Sequence, residues 1–160
     1  MDTEVNMTLI KNPVSILGNA QSNALVSLIG GYDGESYIAA NDLFGLRVVR
    51  SNTFYYNYSL ASIELPESVE EIEEYAFYSC FNLESVVIPS SITYIGDYAF
   101  QECSALDGIT VLATTPPEIG SGVFNNSGNC PIYVPAGSVS DYQSDSNWSQ
   151  YSSRIEAIQS

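Results

Sequence analysis

Six glutamates within eleven residues form the densest group of chemically active side chains in the sequence. They are Glu64, Glu67, Glu70, Glu71, Glu73 and Glu74. Paired carboxylates can perform general acid–base chemistry or hold calcium. A calcium loop, however, gathers its oxygen ligands around a tight turn that usually contains Asp or Asn and a glycine, and this run has neither. We therefore interpret Glu67, Glu70, Glu71 and Glu74 as a solvated acidic edge that attracts cationic partners.

The rest of the composition gives little support to catalysis. The sequence has no histidine, so the commonest general base is missing. It also has no GxSxG motif, no glycine-rich phosphate loop and no CxxC pair among its three cysteines. We predict a non-enzymatic chain with no catalytic residues, no metal site and no cofactor.

The charge of the chain limits its partners. Four basic residues face 19 acidic ones, for a net charge of −15. This charge repels phosphate backbones and argues against nucleic acid or an anionic membrane as the partner. No segment approaches the roughly 18 apolar residues of a membrane span, so we expect no membrane insertion. The N-terminal segment opens with two acids and has no basic stretch before an apolar run, so it is not typical of a signal peptide.

An internal repeat must position all of these side chains. The stretch LASIELPESVEEIEEYAFYSC, which begins at Leu60, recurs as LESVVIPSSITYIGDYAFQEC, which begins at Leu83. A fixed period of this size is typical of a stacked array, because one unit cannot bury its apolar face alone. Each unit begins with an alternating stretch that predicts a strand, which the proline ends. A bend, a short extended or 3₁₀ piece and a helical turn are expected to complete the unit.

The register of the repeat extends beyond its two clear copies. Four strand positions share the spacing of 23: Ile63, Val86, Ile109 and Ile132. In the unit after Val111 the connecting half diverges, and a slip of one residue is needed to bring Ile119, Val123 and Phe124 inward. Backward extension places Leu46, Val49 and Phe54 inside a first, atypical unit, with Tyr37, Ala40 and Asp42 at its strand positions. The array is therefore predicted to span residues 36–135.

The two ends of the chain do not follow the repeat. Residues 1–35 carry an alternating stretch at Val5, Met7 and Leu9 and a helical pattern over 20–29. They are either a cap over the first coil, which we favour because an exposed strand edge would aggregate, or an attachment or oligomerisation element. Residues 136–160 are predicted as a C-terminal cap, with a helix that starts at Ser138 and Trp148 in its core.

Two ladders of side chains are open to more than one interpretation. Cys80 and Cys103 occupy the same repeat position and should lie about 4.8 Å apart on adjacent coils. A disulfide is conceivable there, but we favour two buried apolar side chains. Tyr75 with Tyr98, and Tyr55 with Tyr78, are either structural or a binding stripe for protein or sugar.

At this point the residues resemble a known family. The pattern LxSIxLPxSVxxIxxYAFxxC is similar to the BspA-like, treponemal-type leucine-rich repeats, and the segment IYVPAGSVSDYQSDSNWSQY resembles the close of such proteins. The resemblance implies a mostly β leucine-rich repeat solenoid with short helices, in which parallel strands of 23-residue repeats lie between N- and C-terminal caps. It further implies one strand per repeat on one face and short turns on the other, no catalytic motif, and a role as a surface adhesin or host-protein binder.

The candidate binding site is the outward side of the strands. Its main row is Glu64, Val87, Thr110 and Tyr133, with a row of small residues beside it that includes Ser62 and Ser85. We expect a non-enzymatic module that binds a protein or glycan, cationic partners included, through this face and the acidic edge on a bacterial cell surface, outside the cell, or on a virion. The alternative is a structural subunit of a phage particle that assembles, as a homo-oligomer, through residues 1–35.

Overall fold

Stacked coils build the molecule, and each coil contributes one strand to each of two sheets. The computed structural model describes residues 36–38 and 46–160. Coil 1 ends at residue 59, coil 2 spans 60–82, coil 3 spans 83–105 and coil 4 spans 106–129. The strand and helix expected within residues 1–35, and their role as a cap or attachment element, lie outside the described residues.

Within the described residues, the first sheet has six parallel strands in the order β1-β3-β5-β7-β9-β10. The strands are β1 (Ser36–Ile38), β3 (Leu60–Glu64), β5 (Ser85–Ile88), β7 (Gly108–Val111), β9 (Ile132–Val134) and β10 (Ile155–Ala157). Ile63, Val86, Ile109 and Ile132 pair in sequence, and all four are buried. The predicted register is confirmed, because parallel pairing of equivalent repeats carries each residue onto its counterpart.

The second sheet occupies the connecting half of each coil, where only short extended pieces were expected. In the part of the chain that the structure describes, its four parallel strands are β2 (Val48–Val49), β4 (Glu71–Ile72), β6 (Tyr94–Ile95) and β8 (Glu118–Ile119). Ile95 pairs with Ile119, 24 positions later, which confirms the predicted slip of one residue in coil 4. The turns that the resemblance implied for this side of the solenoid thus contain a sheet of their own.

The strand of coil 1 has a different register from the one predicted. Ile38 pairs with Ile63 at a spacing of 25, so the assignment of Ala40 to that position is wrong. The register shifts by one residue between Ser36 and Tyr37, since Ser36 pairs with Leu60 at a spacing of 24 and Tyr37 pairs with Ser62 at a spacing of 25. The shift puts a β-branched residue where alanine was expected.

The predicted helical turn before each cysteine is wrong. Two left-handed residues shape the turn instead, for example Tyr75 (φ 56°) and Ser79 (φ 58°) in coil 2. Between them, alternate backbone N–H groups donate to the next coil, as from Phe77 to the Ala99 carbonyl at 2.8 Å. The remaining N–H groups form hydrogen bonds within local turns, as from the N–H of Tyr78 to the carbonyl of Tyr75. Donors committed to a neighbouring coil cannot make the internal bonds of a helix.

The core is continuous along the coils and contains a ladder of phenylalanine side chains, including Phe54 and Phe124, which were predicted to point inward. Phe54, Phe77, Phe100 and Phe124 are each at most 2% exposed, and successive rings stack with centroids 4.9, 4.8 and 5.8 Å apart. The phenylalanine ring of each coil is therefore covered by the ring of the next coil.

The cysteines are free and buried, as favoured over a disulfide. The thiols of Cys80 and Cys103 donate to the carbonyls of Phe54 and Phe77, each at 3.0 Å. Burial, followed by the neighbouring Cys103, raises the pKa of Cys80 well above its ordinary value. The Cys80 thiol therefore remains protonated, and both side chains pack as small apolar groups.

A cap closes the C-terminal end of the array. It consists of a 3₁₀ turn (Ala136–Ser138), the helix α1 (Val139–Ser144), a 3₁₀ helix (Trp148–Arg154) and β10. Trp148 is fully buried, as predicted for the core of the cap. The helix begins where expected, but Ser138 makes no side-chain cap and donates its hydroxyl to the Thr114 carbonyl at 2.7 Å. Arg154 fastens the cap by donating from Nε to the Cys130 carbonyl at 2.8 Å.

The buried phenol of Tyr142 predicts a loss of stability at high pH. Its hydroxyl donates to the Ala113 carbonyl at 2.8 Å, and burial, followed by the charge of Asp145, raises its pKa above the ordinary value of 10.0. The folded chain therefore holds this proton more tightly than the unfolded chain. The resulting stabilisation is complete below about pH 10 and declines as the pH rises further.

We expect Tyr142→Phe to weaken the pH dependence of the free energy of unfolding above about pH 10, although it costs about 1 kcal/mol at neutral pH through the lost hydrogen bond. Urea unfolding at a series of pH values measures both effects. Tyr58→Phe, which removes the hydroxyl of an exposed tyrosine, is the control. An identical alkaline profile in the two variants would contradict the role of Tyr142.

Candidate functional site

The outward side of the first sheet carries the row of residues that the repeat predicted as a binding face. Glu64, Val87, Thr110 and Tyr133 are paired in successive strands and are all partly exposed. Ser62 and Ser85 pair in the neighbouring row, in which Gly108 follows. We call these two rows the strand face. The structure brings its members together, since parallel strands in register place equivalent residues side by side.

Glu156 extends the strand face by one residue that sequence reasoning missed. It pairs with Tyr133 and is exposed. The missed signal was the repeat itself, because Ile155 follows Ile132 by one further period and pairs with it. The main row thus crosses five strands, or roughly 19 Å at about 4.8 Å per step.

Glycine shapes the centre of the strand face. A Cβ atom on Gly108 would lie 3.1 Å from Cε2 of Tyr133, so the tyrosine ring lies over the glycine. This arrangement gives Tyr133, in the main row, a defined position against the neighbouring row of small residues. With acidic ends at Glu64 and Glu156 and an apolar and hydroxyl-bearing middle, the face can offer both hydrogen bonds and apolar area to a ligand.

The four glutamates of the acidic edge occupy different environments. Glu67 accepts from the hydroxyl of Ser90 at 2.6 Å, and Glu70 pairs with Arg47 at 2.6 Å. Glu71 lies on the second sheet, where it pairs with Tyr94 in the row that continues to Glu118. These glutamates therefore do not form a single row beside the strand face.

Carboxylates surround Tyr94 on the second sheet. Burial, followed by the charges of Asp97, Glu118, Glu74 and Glu71, raises the pKa of Tyr94. A shallow cavity of about 290 Å³ lies beside it, lined by Ser51, Glu73, Glu74, Tyr94 and Asp97. The surface here is acidic and open, which suits solvation and the attraction of cations at long range.

Hydrogen bonds from Ser51 and Arg50 stabilise the carboxylate of Glu73 in this acidic surface. Partial burial alone would raise the pKa of Glu73, but hydrogen bonds from the backbone and hydroxyl of Ser51, together with Arg50, lower it. Arg50 lies 3.0 Å from the Glu73 carboxylate. Within the described residues, no group of three or more Asp, Glu, Cys or His side chains could hold a metal ion.

The repeats of the array match a known protein family. Residues 42–150 match the BspA type leucine rich repeat region, in six copies. The chain belongs to this family. The matched range contains β3, β5, β7 and β9 of the first sheet and β2, β4, β6 and β8 of the second. BspA-type repeats generally form non-enzymatic modules that bind protein partners.

One solved relative is the T. pallidum leucine rich repeat protein TpLRR, known from a crystal structure. The BspA-type chain is similar to it with 25% sequence identity over 65% of its own length, at a TM-score of 0.47. The match spans 61% of the length of the treponemal chain. No curated protein is significantly similar in sequence. The helices of the described part of the chain are too short or too polar to cross a membrane.

Proposed function

We propose that this BspA-type chain is a binding module that recognises a protein through the strand face. The observation that supports this most directly is the register of Glu64, Val87, Thr110, Tyr133 and Glu156 across five adjacent strands. A continuous, rigid row positions its contact groups before a ligand arrives, so little conformational entropy is lost on binding.

The proposed setting is a bacterial cell surface or a virion surface, since BspA-type repeats are typically surface-associated. The net charge of −15 favours a partner that is neutral or basic over the region of contact. The size of the strand face suits a loop or a short strand of the partner better than a broad flat surface.

Simultaneous replacement of Glu64, Thr110 and Tyr133 with alanine is expected to weaken binding by about 2 kcal/mol or more, roughly thirtyfold in Kd, because tyrosine and charged anchors dominate interfaces of this kind. The probes are arrayed extracellular-matrix proteins and arrayed glycans, with affinities measured for every probe that binds the unmodified chain.

A matched control is available on the second sheet. Glu71, Thr93 and Tyr94 have the same residue types, and their replacement with alanine changes the net charge equally. Equal losses in both triple variants, or unchanged affinity in the first, would contradict the strand face as the binding site. Binding to glycans alone would replace the protein partner with a carbohydrate.

A further inference from the structure

A second surface lies in the turns that lead from the second sheet back to the first. Six aromatic side chains from coils 1 and 2 meet there: Tyr55, Tyr56, Tyr58, Tyr75, Tyr78 and Phe81. We call this group the aromatic corner. The strand face, in contrast, lies on the outward side of the six-stranded sheet.

Ring contacts connect the whole aromatic corner. Tyr55 stacks on Tyr78 with centroids 5.2 Å apart, and Tyr58 stacks on Phe81 at 5.7 Å. Tyr56 joins the two stacks through edge contacts with Tyr55 at 4.7 Å and with Phe81 at 6.2 Å. The rings therefore hold one another in place and form a single surface.

Much of this surface is open to solvent. Tyr56 is 41% exposed, Tyr58 54% and Phe81 38%, and these are the exposed large hydrophobic side chains of the described residues. Scattered exposed aromatic residues need no explanation, but these three are in contact with one another. A contiguous exposed apolar patch on a protein surface is typical of an interaction site.

The fold does not require aromatic side chains at these positions. In coil 3 the position of Tyr58 and Phe81 is taken by Ser104, and the position of Tyr55 and Tyr78 by Gln101. The turn is nevertheless the same, since Glu102 has φ 64° where Ser79 has φ 58°. The N–H of Glu102 also donates to the next coil at 3.0 Å, as that of Ser79 does at 2.9 Å. The polar residues of coil 3 therefore support the same backbone as the aromatic residues at the equivalent positions of coils 1 and 2.

Charge indicates what could bind there. Within the described residues, Arg47 and Arg50 are paired with glutamates and Arg154 is bound into the cap. Burial, followed by Tyr98 and then the charges of Glu74 and Asp97, raises the pKa of Tyr75. Acidic side chains therefore lie beside the aromatic corner. A second copy of this acidic chain would be repelled, whereas a basic segment would be attracted.

We propose that the aromatic corner binds an arginine-rich segment of a protein partner. Arginine stacks on aromatic rings and donates to carboxylates, and tyrosine supplies rigid contact area with a hydroxyl at its edge. The corner supplies the rings and the acidic surroundings supply the carboxylates. This is a second interaction surface, which does not depend on the strand face.

The test uses a fluorescein-labelled peptide of alternating arginine and glycine residues, with fluorescence anisotropy measured at about 150 mM salt to screen long-range attraction. The test variant is the double replacement Tyr58→Ser and Phe81→Ser. Serine suits the turn, because Ser104 occupies the equivalent position, and the net charge stays at −15. We expect Kd to rise at least about tenfold.

The matched control is Leu112→Ser with Ile158→Ser, which replaces two partly exposed apolar side chains outside both the aromatic corner and the strand face. It also leaves the net charge unchanged and should change Kd by less than about twofold. Equal effects of the two double variants, or no peptide binding by the unmodified chain, would overturn the proposal. Dimerisation of the unmodified chain in sedimentation that disappears in Tyr58→Ser with Phe81→Ser would also overturn it, since a second copy would then occupy the corner. Loss of strand-face binding is measured separately, with the triple alanine variants.

Discussion

Replacement of Phe100 with alanine is expected to lower the free energy of unfolding by about 3–5 kcal/mol. Phe100 is fully buried in the middle of the phenylalanine ladder, with Phe77 at 4.8 Å on one side and Phe124 at 5.8 Å on the other. Alanine removes the ring from both stacks and leaves a cavity that the paired strands around it cannot collapse to fill. Phe77→Ala should have a similar effect, because its ring is flanked in the same way.

Urea unfolding followed by circular dichroism measures this loss. Gln101→Ala, one residue further along the same turn, is the control and should change stability by no more than about 0.5 kcal/mol. A loss below about 1 kcal/mol for Phe100→Ala would contradict the ladder as the interior of the array.

Trp148→Ala is expected to cause a loss of similar size, again about 3–5 kcal/mol, at the C-terminal end of the core. The indole is fully buried, contacts Phe124 at 5.8 Å and Tyr142 at 4.9 Å, and donates from Nε1 to the Pro117 carbonyl at 2.7 Å. Its removal opens the last coil to water and leaves that carbonyl without its donor. Because the edge of a sheet is then less protected, we also expect aggregation at elevated temperature.

Trp148→Phe separates the two contributions of the indole. Phenylalanine keeps most of the apolar contact but cannot donate to Pro117, so the expected loss is smaller, about 1–3 kcal/mol. Circular dichroism is the suitable probe, since both variants lack the only tryptophan. Equal losses for Trp148→Ala and Trp148→Phe would contradict the packing role and leave the hydrogen bond as the main contribution.

The repeat predicted much of this architecture because its period controls strand pairing. Once Ile63 is paired with Val86, every residue of coil 2 lies beside its counterpart in coil 3, and the inward and outward rows follow. The same reasoning located the slip at Ile119 and the outward row through Tyr133. Its extension ended too early, since β10 pairs Ile155 with Ile132 in the same register.

Parts of the chain without a repeated partner were harder to predict. The pairing of Ile38 with Ile63 depends on a local shift in β1 that no periodicity indicates. The left-handed turns were missed because tyrosine, serine and glutamate rarely adopt positive φ. Gly122, at φ 60°, occupies in coil 4 the position of Tyr98 in coil 3, so one copy did carry the usual signal for such a turn.

The amino-acid sequence by itself determined the stacking of the coils, the buried ladder and the outward row of strands, because equivalent residues in a parallel array must become neighbours. The repeat also predicted the contacts of Tyr55 with Tyr78 and of Tyr75 with Tyr98, but only the tertiary structure decided which side chains connect these ladders with their neighbours. Tyr56 contacts both Tyr78 and Phe81 because its left-handed backbone redirects the chain between two strands. The two stacks of the aromatic corner follow the period of the repeat, but their connection through Tyr56 depends on turn geometry, which the period does not specify.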